Sequence, residues 1–134
     1  MKIGITGTQY GMTEYQKRTL TEFFASLAYF YLDIDFHHGQ CIGVDEESLL
    51  IAKEFGFHTV SHPPINESKM SHVESDETRE PKYYIPRNYD IVDEVDILFA
   101  CPLTNHEVLR SGTWTTIRYA QKTRNCELII IPPR

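Results

Sequence analysis

The sequence predicts an α/β protein: a doubly wound parallel sheet of about five strands with helices on both faces. Three observations carry this expectation. Short apolar runs alternate with segments of helical periodicity along all 134 residues. The runs are nearly continuous in apolar character, as strands covered on both faces are. No internal repeat or linker divides the chain, so residues 1–134 read as a single domain.

The elements follow in order. Met1-Lys2-Ile3-Gly4-Ile5-Thr6 is a first strand ending at a glycine turn. Thr13 and Gln16 form a capping box for a first helix. Its Leu20, Phe23, Phe24, Leu27 and Tyr31 share one face. Asp33–His38 is a second strand. A helix near Asp45–Phe55 follows, with Asp45 as its cap, Glu46 and Glu47 in the first turn and Gly56 at the end.

Phe57–Ser61 is a third strand, stopped by His62-Pro63-Pro64. Residues 66–82, NESKMSHVESDETREPK, are too charged for a core element and are expected to form a surface insertion or lid. A short helix has Pro86 in its first turn and Tyr89, Val92 and Val95 spaced for burial. Asp96–Cys101 is a fourth strand. A helix near Gly112 carries Trp114, Ile117 and Ala120 on one side, with Lys122 and Arg124 at its C-terminal end. Glu127–Ile131 is a fifth strand before Pro132-Pro133.

Right-handed crossovers turn this alternation into a Rossmann-like sheet of strand order 3-2-1-4-5. Such sheets bind ligands beyond the carboxyl ends of their strands, where the order reverses. The loops leaving the strands should therefore line one crevice. They contain Gly7-Thr8-Gln9-Tyr10-Gly11, His38 through Asp45, His62-Pro63-Pro64 with Arg87-Asn88 further on, and Pro102 through Thr115. Glycines admit a phosphate to the backbone, and helix N-termini supply aligned N–H donors.

Composition narrows the function. A net charge of −6 speaks against general nucleic-acid binding, which needs clustered Lys and Arg. It leaves room for one small phosphorylated ligand. No apolar run is long enough to span a membrane. The N-terminus reads as a strand rather than a leader, and a cytoplasmic location is expected. Cys41, Cys101 and Cys126 have no metal-ligand spacing and are expected as reduced thiols. His37, His38, His58, His62, His72 and His106 show no ligand pair on a predicted helix, so no metal centre is expected. The dinucleotide fingerprint GxGxxG, the GxxxxGK[ST] phosphate loop and the GxSxG elbow are missing. Phe24, Tyr29, Phe30 and Tyr31 exceed what one helix face can bury, so a homo-oligomer is expected.

HHGQCIGVD before a helix, then YIPRNYDIVDEVDILFACP, then RSGTWTTIRYA and a terminal apolar strand with Pro-Pro, together resemble the SLOG superfamily. That group includes the Lonely Guy cytokinin-activating enzymes, the DprA Rossmann domain and small stand-alone nucleotide sensors, and the likeness is to the sensor-like branch. The resemblance implies a nucleotide-binding module. Gly7, Thr8, Gln9 and Tyr10 would form a first wall, and Gly39, Gly43 and Asp45 a second. Arg87 and Asn88 would face phosphate or base. Pro102, Ser111, Gly112, Thr113, Trp114 and Thr115 would form the phosphate-binding fourth loop. No cofactor is required, and a nucleotide-like ligand is the expected partner.

Two departures from the enzyme branch stand out. Thr116 occupies the position of the hydrolase glutamate, and Gln40 replaces an expected glycine. A hydroxyl cannot stabilise an oxocarbenium-like charge as a carboxylate does. Binding is therefore favoured over turnover. The alternative is a nucleotide N-glycosidase or deoxyribosyltransferase, in which Glu107, Glu74 or Asp76 would replace the missing glutamate.

Overall fold

The computed structural model describes all 134 residues. The strands are β1 (Lys2–Gly7), β2 (Asp35–His38), β3 (His58–Ser61), β4 (Glu77–Thr78), β5 (Ile97–Cys101) and β6 (Glu127–Ile130). The helices are α1 (Glu14–Phe30), α2 (Val44–Glu54), α3 (Tyr84–Glu94) and α4 (Gly112–Thr123). All strand pairs are parallel, in the order β4-β3-β2-β1-β5-β6. The five expected strands keep the expected order. The sixth, β4, comes from the charged 66–82 segment and is only two residues long, too short to leave a periodic pattern.

The α1 capping box forms as the sequence requires, with Thr13 Oγ1 accepting from Gln16 N–H and Gln16 Oε1 accepting from Thr13 N–H. Gln16 is itself buried, and its amide donates to the carbonyls of Pro102 and Ile131. One polar side chain thus ties the start of α1 to the ends of β5 and β6. Leu20 and Phe24 enter the core, where Phe24 packs edge-on against Phe36 and Phe99. The helix ends at Phe30, so Tyr31 is a C-cap residue and exposed rather than part of the buried face. Phe24 is not surface either; Tyr29, Phe30, Tyr31 and Leu32 are.

The α2 N-terminus differs from expectation. Gly43, not Asp45, is the N-cap, at φ +83°. A Cβ at Gly43 would also run into the Thr8 and Gln9 carbonyls. The close approach is what lets Val44 N–H donate to Thr8 O at 3.0 Å and Glu47 Oε1 accept from Met12 N–H at 2.6 Å. The first and second loops are locked together by it.

The core lies chiefly between the sheet and α1/α2, built on Ile3, Ile5, Phe36, Leu49 and Phe99. A smaller cluster of Ile91, Val92, Val95, Leu98 and Ala120 lies under α3 and α4. Tyr89 is half-buried and stacks on Tyr119 with ring centres 3.8 Å apart. On this second face the helices pack over β1, β5 and β6. The part of that face over β2 and β3 is instead filled by polar side chains.

The 66–82 segment is largely exposed but is stitched to the second loop. Ile42 N–H donates to Lys69 O, and Ser71 N–H to Gln40 O. Ser71 is buried and its hydroxyl donates to Glu46 Oε1 at 2.8 Å. No helix is long and apolar enough to cross a membrane. The three cysteines form no disulfide, and burial pushes the Cys101 thiol up to about 12.

Gly43→Ala adds a side chain where the backbone has positive φ and the neighbouring loop leaves no room. We expect a loss of about 1–3 kcal/mol in urea unfolding. Unchanged stability would mean that the two loops do not depend on this contact.

Candidate functional site

A crevice of about 800 Å³ opens at the carboxyl ends of the strands, between β1 and β5. This is where the strand order reverses. The volume suits a small organic ligand. Of the residues named from the sequence, Gly7, Thr8, Gln9, Tyr10, Gly39, Asp45, Arg87, Asn88, Ser111, Gly112, Thr113 and Trp114 line it.

Gly43, Pro102, Thr115 and the His62-Pro63-Pro64 turn do not line the crevice. Gly43 sits behind the first wall under Gln9. Pro102 is buried, with its carbonyl turned to Gln16. Thr115 Oγ1 donates back to Ser111 O at 2.8 Å. The sequence also missed part of the lining. Asn66, Ser68 and Lys69 come from the charged segment, and Tyr84 and Ile85 from the start of α3. Their charge-rich or irregular surroundings carry no periodicity to mark them. Thr104 and Arg110 also line it, within the Pro102–Thr115 stretch expected there.

The start of α4 is the best anion cradle present. Ser111 is its N-cap, and the hydroxyl accepts from Trp114 N–H at 3.2 Å. Thr115 N–H donates to Ser111 O. Gly112 and Thr113 N–H have no acceptor within the protein, as the first turn of a helix requires. No acid lies in this turn, and a Cβ at Gly112 would meet nothing within 4 Å. Space, unpaired donors and the positive end of the helix dipole therefore coincide. Lys69 and Arg110 add positive charge to the lining.

The start of α2 faces the same crevice with the opposite electrostatics. Its first turn holds Asp45, Glu46 and Glu47, and its Val44 N–H is already spent on Thr8 O. An anion is repelled there. Glycine-rich loops in sequence looked equivalent; local charge separates them.

Arg87 lies on the crevice floor, only 5 % exposed. Its Nη1 donates to the carbonyls of Gly39 and His62, the latter at 3.1 Å. Its Nε donates to Asn88 Oδ1 at 2.7 Å, and Nη2 approaches Cys41 Sγ at 3.8 Å. The Arg87–Asn88 dipeptide is thus a clamp joining the ends of β2 and β3 to α3. A Cβ on Gly39 would come within 2.6 Å of this guanidinium, so a side chain there would push the clamp out of place.

Asp45 is the only carboxylate lining the crevice. Its Oδ2 accepts from Gly39 N–H at 3.0 Å and Cys41 N–H at 3.3 Å. Burial raises its pKa to about 6; Arg87 and the two N–H donors oppose that shift. The carboxylates considered as replacements for the hydrolase glutamate lie elsewhere. Glu107 pairs with Arg118 at 2.7 Å, Asp76 accepts from Thr59 N–H and Oγ1–H, and Glu74 lines a separate hollow. Thr116 is buried, and its hydroxyl donates to Gly112 O.

One further cluster was illegible in sequence. His37 from β2, His62 after β3 and Glu94 at the end of α3 bring their side chains together. They lie 25 and 32 residues apart in sequence, on three elements, so no spacing motif announces them.

Solved structures share this fold. A molybdenum cofactor binding protein from Rippkaea orientalis superposes with a TM-score of 0.74 at 20% identity, covering 98% of this chain and 76% of that one. A molybdenum cofactor carrier protein from Chlamydomonas reinhardtii gives 0.66 at 19%, covering 96% and 74%. DNA processing protein A from Streptococcus pneumoniae gives 0.70 at 13%, covering 98% of this chain but 50% of that one. What these structures share with this chain is a Rossmann-like fold. No family model matches the chain, and no curated protein matches it.

Two outcomes test the clamp. Arg87→Ala strands two buried carbonyls and leaves Asp45 without its nearby cation. We expect about 3–5 kcal/mol of lost stability, and Arg87→Lys should not restore it, because an ammonium cannot reproduce the planar fork. A stable Arg87→Ala protein would free Arg87 for a ligand role instead. The Asp45 carboxyl makes stability depend on pH, which urea titrations read. Between about pH 4 and about pH 6 the native carboxyl holds a proton that the unfolded chain has released. This group therefore lowers stability as pH rises through that window. Asp45→Asn should make the pH dependence between about 4.5 and about 6.5 more positive; an identical slope contradicts the raised pKa.

Proposed function

We propose that the protein binds a small phosphorylated ligand, of nucleotide or nucleotide-derived type, in the crevice at the carboxyl edge of the sheet. The observation that carries this reading is the start of α4. Two unpaired N–H groups, an acid-free first turn and open space above Gly112 meet inside the crevice. A phosphate there accepts both donors and gains from the helix dipole. Lys69 and Arg110 offset its remaining charge.

The organic part of the ligand would lie across the floor toward Trp114, Tyr84 and Ile85, which supply apolar and aromatic surface. Trp114 is held by a bond from its Nε1–H to Thr104 Oγ1 at 3.2 Å. Two of the structural relatives are described as binding or carrying molybdenum cofactor. This supports reading the fold as a small-molecule holder and adds that cofactor to the ligands worth trying.

Binding without turnover is the reading the chemistry favours. Asp45 is committed to two loop N–H groups, and the other candidate carboxylates lie outside the crevice. Asp45 is thus the single acid on the crevice wall, and no second carboxylate stands beside it to complete the pair used in glycoside cleavage.

Gly112→Asp is the sharpest test. The position is exposed with room for a side chain, and an acid in the first turn suits the helix dipole. The apo protein should melt at the same temperature or slightly higher. Thermal-shift titrations of the parent protein with nucleoside monophosphates, ADP-ribose, NAD and molybdenum cofactor should show saturable stabilisation by at least one. A ligand at about 100 times its Kd adds about 2.7 kcal/mol. Gly112→Asp should weaken that ligand at least about tenfold, roughly 1.4 kcal/mol. No stabilisation by any of the four classes, or a Gly112→Asp protein that binds as well as its parent, overturns the phosphate assignment.

A further inference from the structure

The polar half-face over β2 and β3 holds a second constellation, separate from the crevice. His37 Nδ1 lies 2.8 Å from His62 Nε2, and each is 3.4 Å from Glu94 Oε2. His37 and His62 are 1 % and 4 % exposed. Three lone-pair atoms converge on one point from three different elements.

Hydrogen bonding alone does not satisfy them. A neutral imidazole brings one N–H. A proton on His37 Nδ1 can serve His62 Nε2 across the short contact. Glu94 Oε2 is then left shut from solvent with no hydrogen-bond partner. A buried carboxylate oxygen without a donor is costly. His37 Nε2 is also unpartnered, whichever arrangement the other atoms adopt, so it decides nothing.

We propose that His37 Nδ1, His62 Nε2 and Glu94 Oε2 form a binding site for a divalent transition-metal ion, zinc being the best fit. Ligand atoms held about 2.0–2.2 Å from a tetrahedral ion stand about 3.3–3.6 Å apart. Both nitrogen-to-carboxylate separations already have that value, and the imidazole pair needs to open by roughly 0.5 Å. Two imidazoles and one carboxylate are a known zinc donor set.

The surroundings support the assignment. Glu94 Oε1 accepts from Arg79 Nη1 at 2.6 Å, which turns Oε2 toward the two rings. Beside the trio opens a hollow of about 370 Å³ with Asp90, Asp93 and the Asp90-paired Lys82 on its walls. His62 and Glu94 both line that hollow, which leaves room for water to complete the shell.

The test uses the full chain, stripped with chelator and titrated with Zn²⁺ by calorimetry and with Co²⁺ by visible absorption. We expect one ion per chain and ligand-field bands of a nitrogen/oxygen site without thiolate charge transfer. Glu94→Gln and His62→Asn should each weaken Zn²⁺ at least about tenfold. His58→Gln should leave it unchanged, since His58 belongs to the exposed pair with Glu77. Circular dichroism of the metal-free variants checks folding, and Glu94→Gln, at a partly exposed helix end, decides the matter if His62→Asn does not fold. Absence of saturable binding, a thiolate band, dependence on His58, or full affinity in Glu94→Gln each overturns the site. None of these outcomes bears on the crevice.

Discussion

The buried guanidinium of Arg87 is the contact on which the geometry of the crevice depends. It reaches from α3 through the floor to the carbonyls that end β2 and β3. Around it Gly39 must lack a side chain, Asp45 must turn inward, and the second loop must wrap tightly. An arginine suits this task because its planar fork can hold two carbonyls at once while staying charged in a poorly hydrated place. The cost of burying it is offset by those bonds and by the nearby carboxylate. The rest of the crevice is arranged around this fixed point.

Electrostatics then divides the labour between two helix starts that share the cavity. Three acids follow the glycine at α2, and its leading N–H is consumed by the first loop. That end closes the wall. At α4 the first turn carries only Gly112, Thr113 and Trp114, and its leading donors stay available. That end receives. The same local motif, glycine before a helix, serves structure in one place and recognition in the other.

The sheet order and the position of the crevice were legible because both follow from periodicity and from the handedness of crossovers. The loops at its mouth were legible as well, since every strand of such a sheet ends on that edge. Side-chain direction was not legible. Arg87 and Asp45 were read as facing a ligand or capping a helix, and the structure gives both inward bonds to backbone. Pro102 and Thr115 flank or follow true lining residues in sequence yet turn away, which a one-dimensional pattern cannot convey. The 66–82 segment was read by its charge as peripheral. Its backbone nevertheless supplies an edge strand and part of the crevice wall, because hydrogen bonds to the second loop do not depend on apolar content. The trio of His37, His62 and Glu94 is assembled by tertiary folding alone.

Trp114 is the only tryptophan in the chain, and it stands half-buried in the crevice beside the receiving end of α4. The molecule therefore carries its own optical label at the place where a ligand would enter. Selective excitation of the indole reports on the hydration and contacts of that cavity and on little else. The polar cluster across the sheet has no such chromophore. Events at the two places can be told apart in one cuvette, without labelling the protein.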